Sequence, residues 1–278
     1  MLSTTINEEA ASSLAPEILL QEIAEGGVLR LTLNDAKRRN ALSDEMMLAL
    51  SQALDNAATN KSVRVIVLAA NGPAFCAGHD LKQVKAGRIA EDKGLAYFTK
   101  IFDNCAALMQ KIVNHSTPII AEVTGIATAA GCQLVASCDL AISAKSSKFA
   151  TPGVHIGLFC STPMVALSRN VSNKHAMEML MAGEMLSAKK AAKIGLINKA
   201  VKDKKLRDVT MELATKIASK STMALATGKQ AFYQQREMPL NEAYQYASDV
   251  MVQNLLKQDA IEGIAAFVEK RKPEWTDQ

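Results

Sequence analysis

The sequence predicts an α/β fold with a helical carboxy-terminal region, and three observations carry that reading. The first is the stretch 117–142, which reads as strand, small-residue turn, helix and strand, the plan of a βαβ unit. Ile119 to Val123 is an apolar run of strand length, Thr124 to Gly131 lacks bulk, Leu134, Val135 and Cys138 keep helical spacing, and Leu140 to Ile142 is a second apolar run. The second is Val63 to Leu68, apolar but for Arg64, as befits a strand buried on both faces of a parallel sheet. The third is that strand signals stop near residue 201, beyond which helical patterns cover about 205–218, 223–235, 240–257 and 259–271.

Taken in order, residues 1–16 hold Ser3, Thr4, Thr5 and two glutamates but no arginine, and are read as a disordered tail, not a signal or transit peptide. Residues 18–34 read as two strands about the Glu25-Gly26-Gly27 turn, with apolar alternation at Leu29, Leu31 and Leu33. Asp35 to Asn40 is a basic loop. Ser43 is an N-cap for a helix marked by Met46, Leu48, Leu50 and Leu54. Asn71-Gly72-Pro73 ends the next strand, and Ala74 to Asp80 follows as a loop. Residues 92–113 read as a helix with Leu95, Phe98, Ile101, Phe102, Cys105, Leu108 and Ile112 on one side. After the βαβ unit the chain is mostly helical from 163, with one strand at 196–201. The organisation is therefore a core at 17–200 and a helical region at 201–278.

A chain of 278 residues, 49% hydrophobic, suits one sizeable α/β core with a helical appendage. No apolar run approaches the roughly 18 residues needed to span a bilayer, so no membrane span is expected. A net charge of +4, with acids and bases interspersed, does not point to nucleic acid but suits an anionic small ligand. The cysteines at 76, 105, 132, 138 and 160 form no C-x-x-C pair, so neither a zinc site nor a disulfide framework is expected. The expected compartment is the reducing cytoplasm. Within the turn, the absence of bulk at Gly125, Ala127, Ala129, Ala130 and Gly131 lets another group approach the backbone. Amides opening a helix have no partner inside it, so those of Ala129 to Gly131 suit a carbonyl oxygen or an oxyanion. Tight packing of a helix on a sheet calls for the same small residues.

The motif Ala74-Phe75-Cys76-Ala77-Gly78-His79-Asp80-Leu81, with Gly125, with Ala129-Ala130-Gly131-Cys132-Gln133-Leu134 and with Cys138-Asp139, resembles the crotonase (enoyl-CoA hydratase/isomerase) superfamily. Leu33-Asn34, Lys37, Asn40-Ala41-Leu42 and the tail Ala266 to Lys272 extend the likeness from about residue 18 to the end. Ala129 to Asp139 and Phe149 to Pro163 are most similar to one branch, the enoyl-CoA hydratase domain-containing protein 3 type. The resemblance implies a spiral ββα core, trimers that pair into hexamers, and an acyl-CoA thioester ligand. It implies no cofactor beyond the CoA of the substrate. By motif position the backbone amides of His79 and Ala130 form an oxyanion hole for the thioester oxygen. The same resemblance places substrate contacts at Lys37, Arg39, Ala77, Asp80, Leu81, Phe267 and Lys270, the last two often serving a neighbouring subunit.

Two departures qualify the implied chemistry. Active hydratases carry glutamates where this chain has Gln133 and Gly153, and those carboxylates activate water and move the proton. Efficient hydration is therefore not expected, although restoring both glutamates should raise the rate if the pocket is otherwise intact. The remaining readings are an enzyme acting through a stabilised enolate, a decarboxylase of a malonyl-type acyl-CoA, and a non-catalytic acyl-CoA-binding oligomer. His79 is read as giving its amide while its ring points to solvent. The alternative is a ring that acts in decarboxylation. Cys160 and Ser161 are read as a packed turn and His155 as a structural or exposed residue. Each is also placed to offer a polar group near the site. Glu122, odd in a buried strand, should face a subunit contact or a basic partner. Cys132 and Cys138 are read as core thiols, and Arg38 joins Lys37 and Arg39 as a candidate for the CoA phosphates.

Overall fold

The computed structural model describes residues 17–278, so the tail read at 1–16 lies outside the described residues. The chain begins with an antiparallel hairpin, β1 (Leu19–Ala24) and β2 (Val28–Leu33). A 3-10 turn at Ala36–Arg38 leads to α1 (Asp44–Thr59), whose N-cap Ser43 accepts the Met46 amide at 3.2 Å. Then come β3 (Val65–Ala70), β4 (Ala74–Cys76), α2 (Leu81–Gly87) and α3 (Leu95–Asn114). The βαβ unit follows as β5 (Ile119–Val123), β6 (Ile126–Thr128), α4 (Ala130–Ser137) and β7 (Leu140–Ala144), then β8 (Lys148–Ala150). Next are α5 (Ser161–Ser168), α6 (Asn173–Ala182), β9 (Leu186–Ser187), α7 (Ala188–Lys193) and β10 (Lys199–Val201). Four helices end the chain: α8 (Leu206–Ala218), α9 (Thr222–Gln235), α10 (Leu240–Leu255) and α11 (Gln258–Glu269).

The strands form two sheets. A six-stranded sheet has the order β1-β2-β3-β5-β7-β10 and is parallel from β2 onward. A four-stranded sheet has the order β4-β6-β8-β9, with only its last pair antiparallel. The chain repeatedly lays one strand in the large sheet and a short one in the small sheet before it continues: β3 then β4, β5 then β6, β7 then β8. That repeat is the spiral ββα architecture. None of the small-sheet strands was legible in the sequence. At two or three residues each they carry no periodicity, and only their pairing defines them.

Both faces of the large sheet are buried along its central strands, which explains their continuous apolar runs. Ile66 and Leu68 join the main core with α1, α3 and α4, while Val65, Val67 and Ile120 meet Ala214 and Ala218 of α8. The boundary read at residue 200 falls inside β10, and α8 still belongs to the core. On α3 the expected apolar side is trimmed. Leu95 and Phe102 are exposed, because burial along that helix begins only at Ile101 and takes in Met109.

One buried ion pair and one partly buried arginine anchor the framework. Glu122 on β5 finds its basic partner inside the chain, as Arg30 on β2 grips it with two bonds of 3.0 and 2.6 Å. Arg64, just before β3, donates to the carbonyls of Ala218 and Lys220 and pairs with Asp277 at 3.0 Å. Asp259 on α11 accepts the amides of Thr276 and Asp277, so the tail, α11 and the α8–α9 junction are held at the amino end of β3. Removing one member of a buried pair strands the other. Glu122→Ala should therefore cost about 3–5 kcal/mol in urea denaturation, whereas Arg30→Leu with Glu122→Leu should cost far less.

Candidate active site

Adjacent parallel strands β4 and β6 deliver two loops to the same edge of the small sheet, Ala77–Asp80 and Ala129–Gly131. Gly78 has φ +91°, and a Cβ there would lie 3.0 Å from the Ala129 Cβ and 3.4 Å from the Ala130 nitrogen. Only glycine lets the loops meet this closely. Ala129 is itself in an unusual conformation, φ 50° and ψ −120°, and is held by its amide bond to the Ala150 carbonyl at 2.9 Å. Such backbone strain costs of order 1–3 kcal/mol and persists where surrounding structure fixes it. Gly131 allows α4 to lie directly on β4, since a Cβ would fall 2.1 Å from the Cys76 carbonyl oxygen.

The amides at this meeting point are not consumed by the fold. Ala130 is the first residue of α4, and the opening amides of a helix have no partner within it. On the other loop, Ala77 donates to the Arg39 carbonyl at 3.1 Å, and the Gly78 carbonyl accepts from Leu42 at 2.8 Å. The His79 amide beyond them has no backbone acceptor among the described residues. Asp80 caps α2 by accepting from Lys82 and Gln83, which fixes where the loop ends, and Leu81 stands exposed behind it. The Ala77–Arg39 bond also brings the basic loop alongside. There Lys37 and Arg39 are exposed, while Arg38 is taken up by Asp35, with Glu45 and Asp80 nearby.

The ring of His79 does not point to solvent, contrary to the sequence reading. It packs edge-on against Phe102 at 5.3 Å, and both ring nitrogens are buried without a hydrogen-bond partner. The loop turns it inward beneath α3, a contact made by residues far apart in sequence. Burial pushes its pKa below the ordinary value, against weaker opposing pulls from the Leu42 backbone and Asp44. The imidazole is therefore a neutral group at the site.

Gln133, one helical turn beyond Ala130, is buried and lines a cavity of about 870 Å³ between α3, α4, α5 and α9. Its carboxamide oxygen lies 4.0 Å from the Cys105 sulfur. At Gly153 there is little room for a restored glutamate. A Cβ there would lie 2.7 Å from the Leu158 carbonyl oxygen and 2.9 Å from the Cys160 sulfur. Cys160 occupies the room a side chain at 153 would need, and burial raises its pKa, so it is a neutral thiol. Cys132 and Cys138 are fully enclosed core thiols, as expected. Ser161 opens α5 with its hydroxyl donating to the Phe159 carbonyl, and His155 is exposed beside Gly183. Phe267 and Lys270 sit on and after α11, anchored at the amino end of β3, whereas Ala77–Leu81 follows its carboxyl end. Neither is hydrogen-bonded to that loop among the described residues, and Phe267 is exposed.

One cluster was not foreseen. Asp139 accepts the Ile119 amide and the Lys229 ammonium, both at 2.7 Å, and the Tyr233 hydroxyl at 3.0 Å. Lys229 also donates to the carbonyls of Ile112 and Thr117. The network fixes α9 against the ends of α3 and α4 as one wall of the cavity. Its members are some 90 positions apart in sequence, so no local signal reveals them.

Among the described residues, no helix is long and apolar enough to cross a membrane, and no cluster of His, Cys, Asp and Glu is placed to hold a metal ion. The burial of His79 and His115 has a consequence in solution. Both pKa values are lowered from 6.5, so the unfolded chain takes up protons that the folded chain refuses. Stability should be full above that pH and decline as pH falls below it. His79→Phe should flatten the decline measured by urea titration across that range.

The family model for enoyl-CoA hydratase/isomerase matches residues 23–278. The chain is 47% identical over 250 residues to mouse (Mus musculus) enoyl-CoA hydratase domain-containing protein 3, mitochondrial, covering 90% of this chain and 82% of the relative. A solved structure described as an enoyl-CoA hydratase from Mycobacterium smegmatis superposes with a TM-score of 0.89 at 47% identity, covering 93% of this chain and 99% of that one. The human enoyl-CoA hydratase domain-containing protein 3 structure gives a TM-score of 0.88 at 44% identity, covering 93% of this chain and 100% of that one. By sequence over nearly its whole described length and by architecture, the chain belongs to the enoyl-CoA hydratase/isomerase family.

Proposed function

We propose that the protein binds an acyl-CoA thioester with the thioester oxygen between the backbone amides of His79 and Ala130, and stabilises the enolate formed there. The observation that carries this is the junction at Gly78, where two unconsumed amides are brought together at the opening of a helix. Donors that tighten on an enolate oxygen lower the barrier to forming it, and the helix dipole adds to the effect. The exposed Lys37 and Arg39 beside Ala77 suit the phosphates of CoA, with Asp80 and Leu81 shaping the loop. The exposed apolar residues of α10 and α11, among them Tyr244, Met251, Ile264 and Phe267, suit a homotrimer or hexamer, in which Phe267 and Lys270 reach a neighbour's site. Light scattering should show that assembly, and a monomer at micromolar concentration overturns it.

Water addition is not part of this reading. Gln133 accepts no proton near neutral pH, and position 153 holds no side chain. The loss of acid/base catalysis costs on the order of a hundred- to ten-thousand-fold. A specific observation favours a second reading, decarboxylation of a malonyl-type thioester. There the electrons of the broken carbon–carbon bond pass to the thioester as an enolate, so no strong base is needed. The buried, neutral ring of His79, with both nitrogens unpartnered, is a group for which binding alone gives no use.

One series of measurements separates these readings. Acyl-CoA should raise the melting temperature, since a ligand of the native state stabilises it by mass action. Ala130→Pro removes one donor at the first helical position, where proline is tolerated, and should weaken acyl-CoA while sparing free CoA. Circular dichroism checks that the variant folds. Crotonyl-CoA hydration should stay far below an ordinary turnover of roughly ten per second. Gln133→Glu with Gly153→Glu should lower stability by about 1–3 kcal/mol through overpacking and leave hydration unrestored. Carbon dioxide released from malonyl-CoA and lost in His79→Ala supports the second reading. Equal binding of acyl-CoA and free CoA by the wild type removes the proposal.

A further inference from the structure

The cavity lined by Gln133 has an apolar stretch among polar residues and, at its far end, Arg169 and Arg236 with the single carboxylate of Glu237. Its wall includes Met109, Val113, Val165, Ala166, Met223 and Ala226. It starts on α4 at Gln133, on the same side of the helix as Ala130, and runs to Ala136 and Ser137. Six residues of α-helix separate Ala130 from Ala136, a rise of about 9 Å. At that depth the Asn170 side chain donates to the Ala136 carbonyl at 2.8 Å, which places the neighbouring Arg169 at the end of the channel. Arg236 completes this end, with one nitrogen donating to the Arg169 carbonyl at 2.6 Å and the guanidinium over the Phe232 ring at 5.6 Å.

The cations of the cavity differ in availability. Lys229 is spent on Asp139 and two carbonyls, so it offers nothing to a ligand. Arg169 has a long contact of 3.4 Å with the exposed Glu237. Arg236 has no acidic partner among the described residues, and its other nitrogens remain free to donate. The contact with Phe232 and the bond to Arg169 hold its guanidinium in place, which reduces the entropy lost on binding an anion.

We infer that the acyl group is of medium length and ends in a carboxylate, which Arg236 receives at the far end of the cavity with Arg169 in support. The inference rests on the acyl-CoA reading above and adds the class of the acyl group. The apolar stretch suits the methylene chain, and the held guanidinium of Arg236 at its end suits a carboxylate. The pair forms at a partly open mouth, so its contribution is that of a screened ion pair and its effect is on selectivity.

The test compares octanoyl-CoA with suberyl-CoA, its counterpart ending in a carboxylate, by calorimetric titration of the full chain. Suberyl-CoA should bind roughly threefold or more tighter at low salt, and the preference should shrink as salt is raised. Arg236→Gln should abolish the preference while leaving octanoyl-CoA binding within about twofold, and Arg236→Lys should retain part of it. A merely structural arginine would weaken both ligands alike, and that outcome overturns the inference. Equal binding of the two ligands to the wild type also overturns it and leaves the acyl-CoA reading standing. Binding of neither ligand overturns both.

Discussion

The constraint on which the site depends is the approach of two backbone turns at Gly78 and Ala129. A single Cβ on Gly78 would force them apart, and a single Cβ on Gly131 would lift α4 from β4. Much else serves to hold that approach. The short strands β4 and β6 pair in parallel and set the height of both turns. The Ala150 carbonyl on β8 takes the amide of Ala129, so the strained residue is fixed from the neighbouring strand. Leu42 and Arg39 tie the other turn to the start of the chain. The small sheet, trivial in area, is thus what aims the two free amides.

The large sheet was legible because its strands are long enough to show a pattern and are covered on both faces. Ile119–Val123 and the final helices needed only local periodicity, and Ser43 only its cap chemistry. What escaped was set by pairing between distant segments. Lys148–Ala150 is a strand because Ile126–Thr128 lies beside it, not because of its composition. The expectation that Glu122 faces a base was recoverable from its burial alone, but Arg30 as that base was not. His79 was placed correctly on its loop and wrongly in orientation, because Phe102, nominally on the same apolar side as the core residues of α3, is what its ring meets.

The motif resemblance drew attention to Gln133 and Gly153 but did not reveal how each is packed. From sequence alone, Gly153 is an empty position awaiting a glutamate. In the fold the space beside Gly153 is taken by the Cys160 sulfur and the Leu158 carbonyl. Gln133 keeps nearly the shape of a glutamate, but sits beside the thiol of Cys105, whose pKa burial raises to about 11. Neither neighbour offers a base near neutral pH. The free amides thus lie among a carboxamide, thiols and a neutral imidazole, with the charges of Asp44, Asp80 and the 37–39 loop at the edge.

That combination bears on which reactions the geometry can assist. Hydration needs a group to take a proton from water and another to give one to carbon, and both must lie within hydrogen-bond reach of the reacting atoms. Reactions that generate the enolate by losing a neutral fragment need only the charge on oxygen to be stabilised, and a dry, neutral surround strengthens that stabilisation because few competing charges or waters screen it. Buried thiols, a carboxamide and a neutral imidazole make such a surround here. Of the nearby carboxylates, Asp80 caps α2 and Asp139 holds Lys229 and Tyr233 at the far wall, while Asp44, which acts on His79, keeps one buried oxygen without a partner. At the cavity's other end Arg169 faces Glu237, whereas Arg236 has no acidic partner among the described residues, so the chamber runs from the amides to a mouth where two guanidiniums meet one carboxylate.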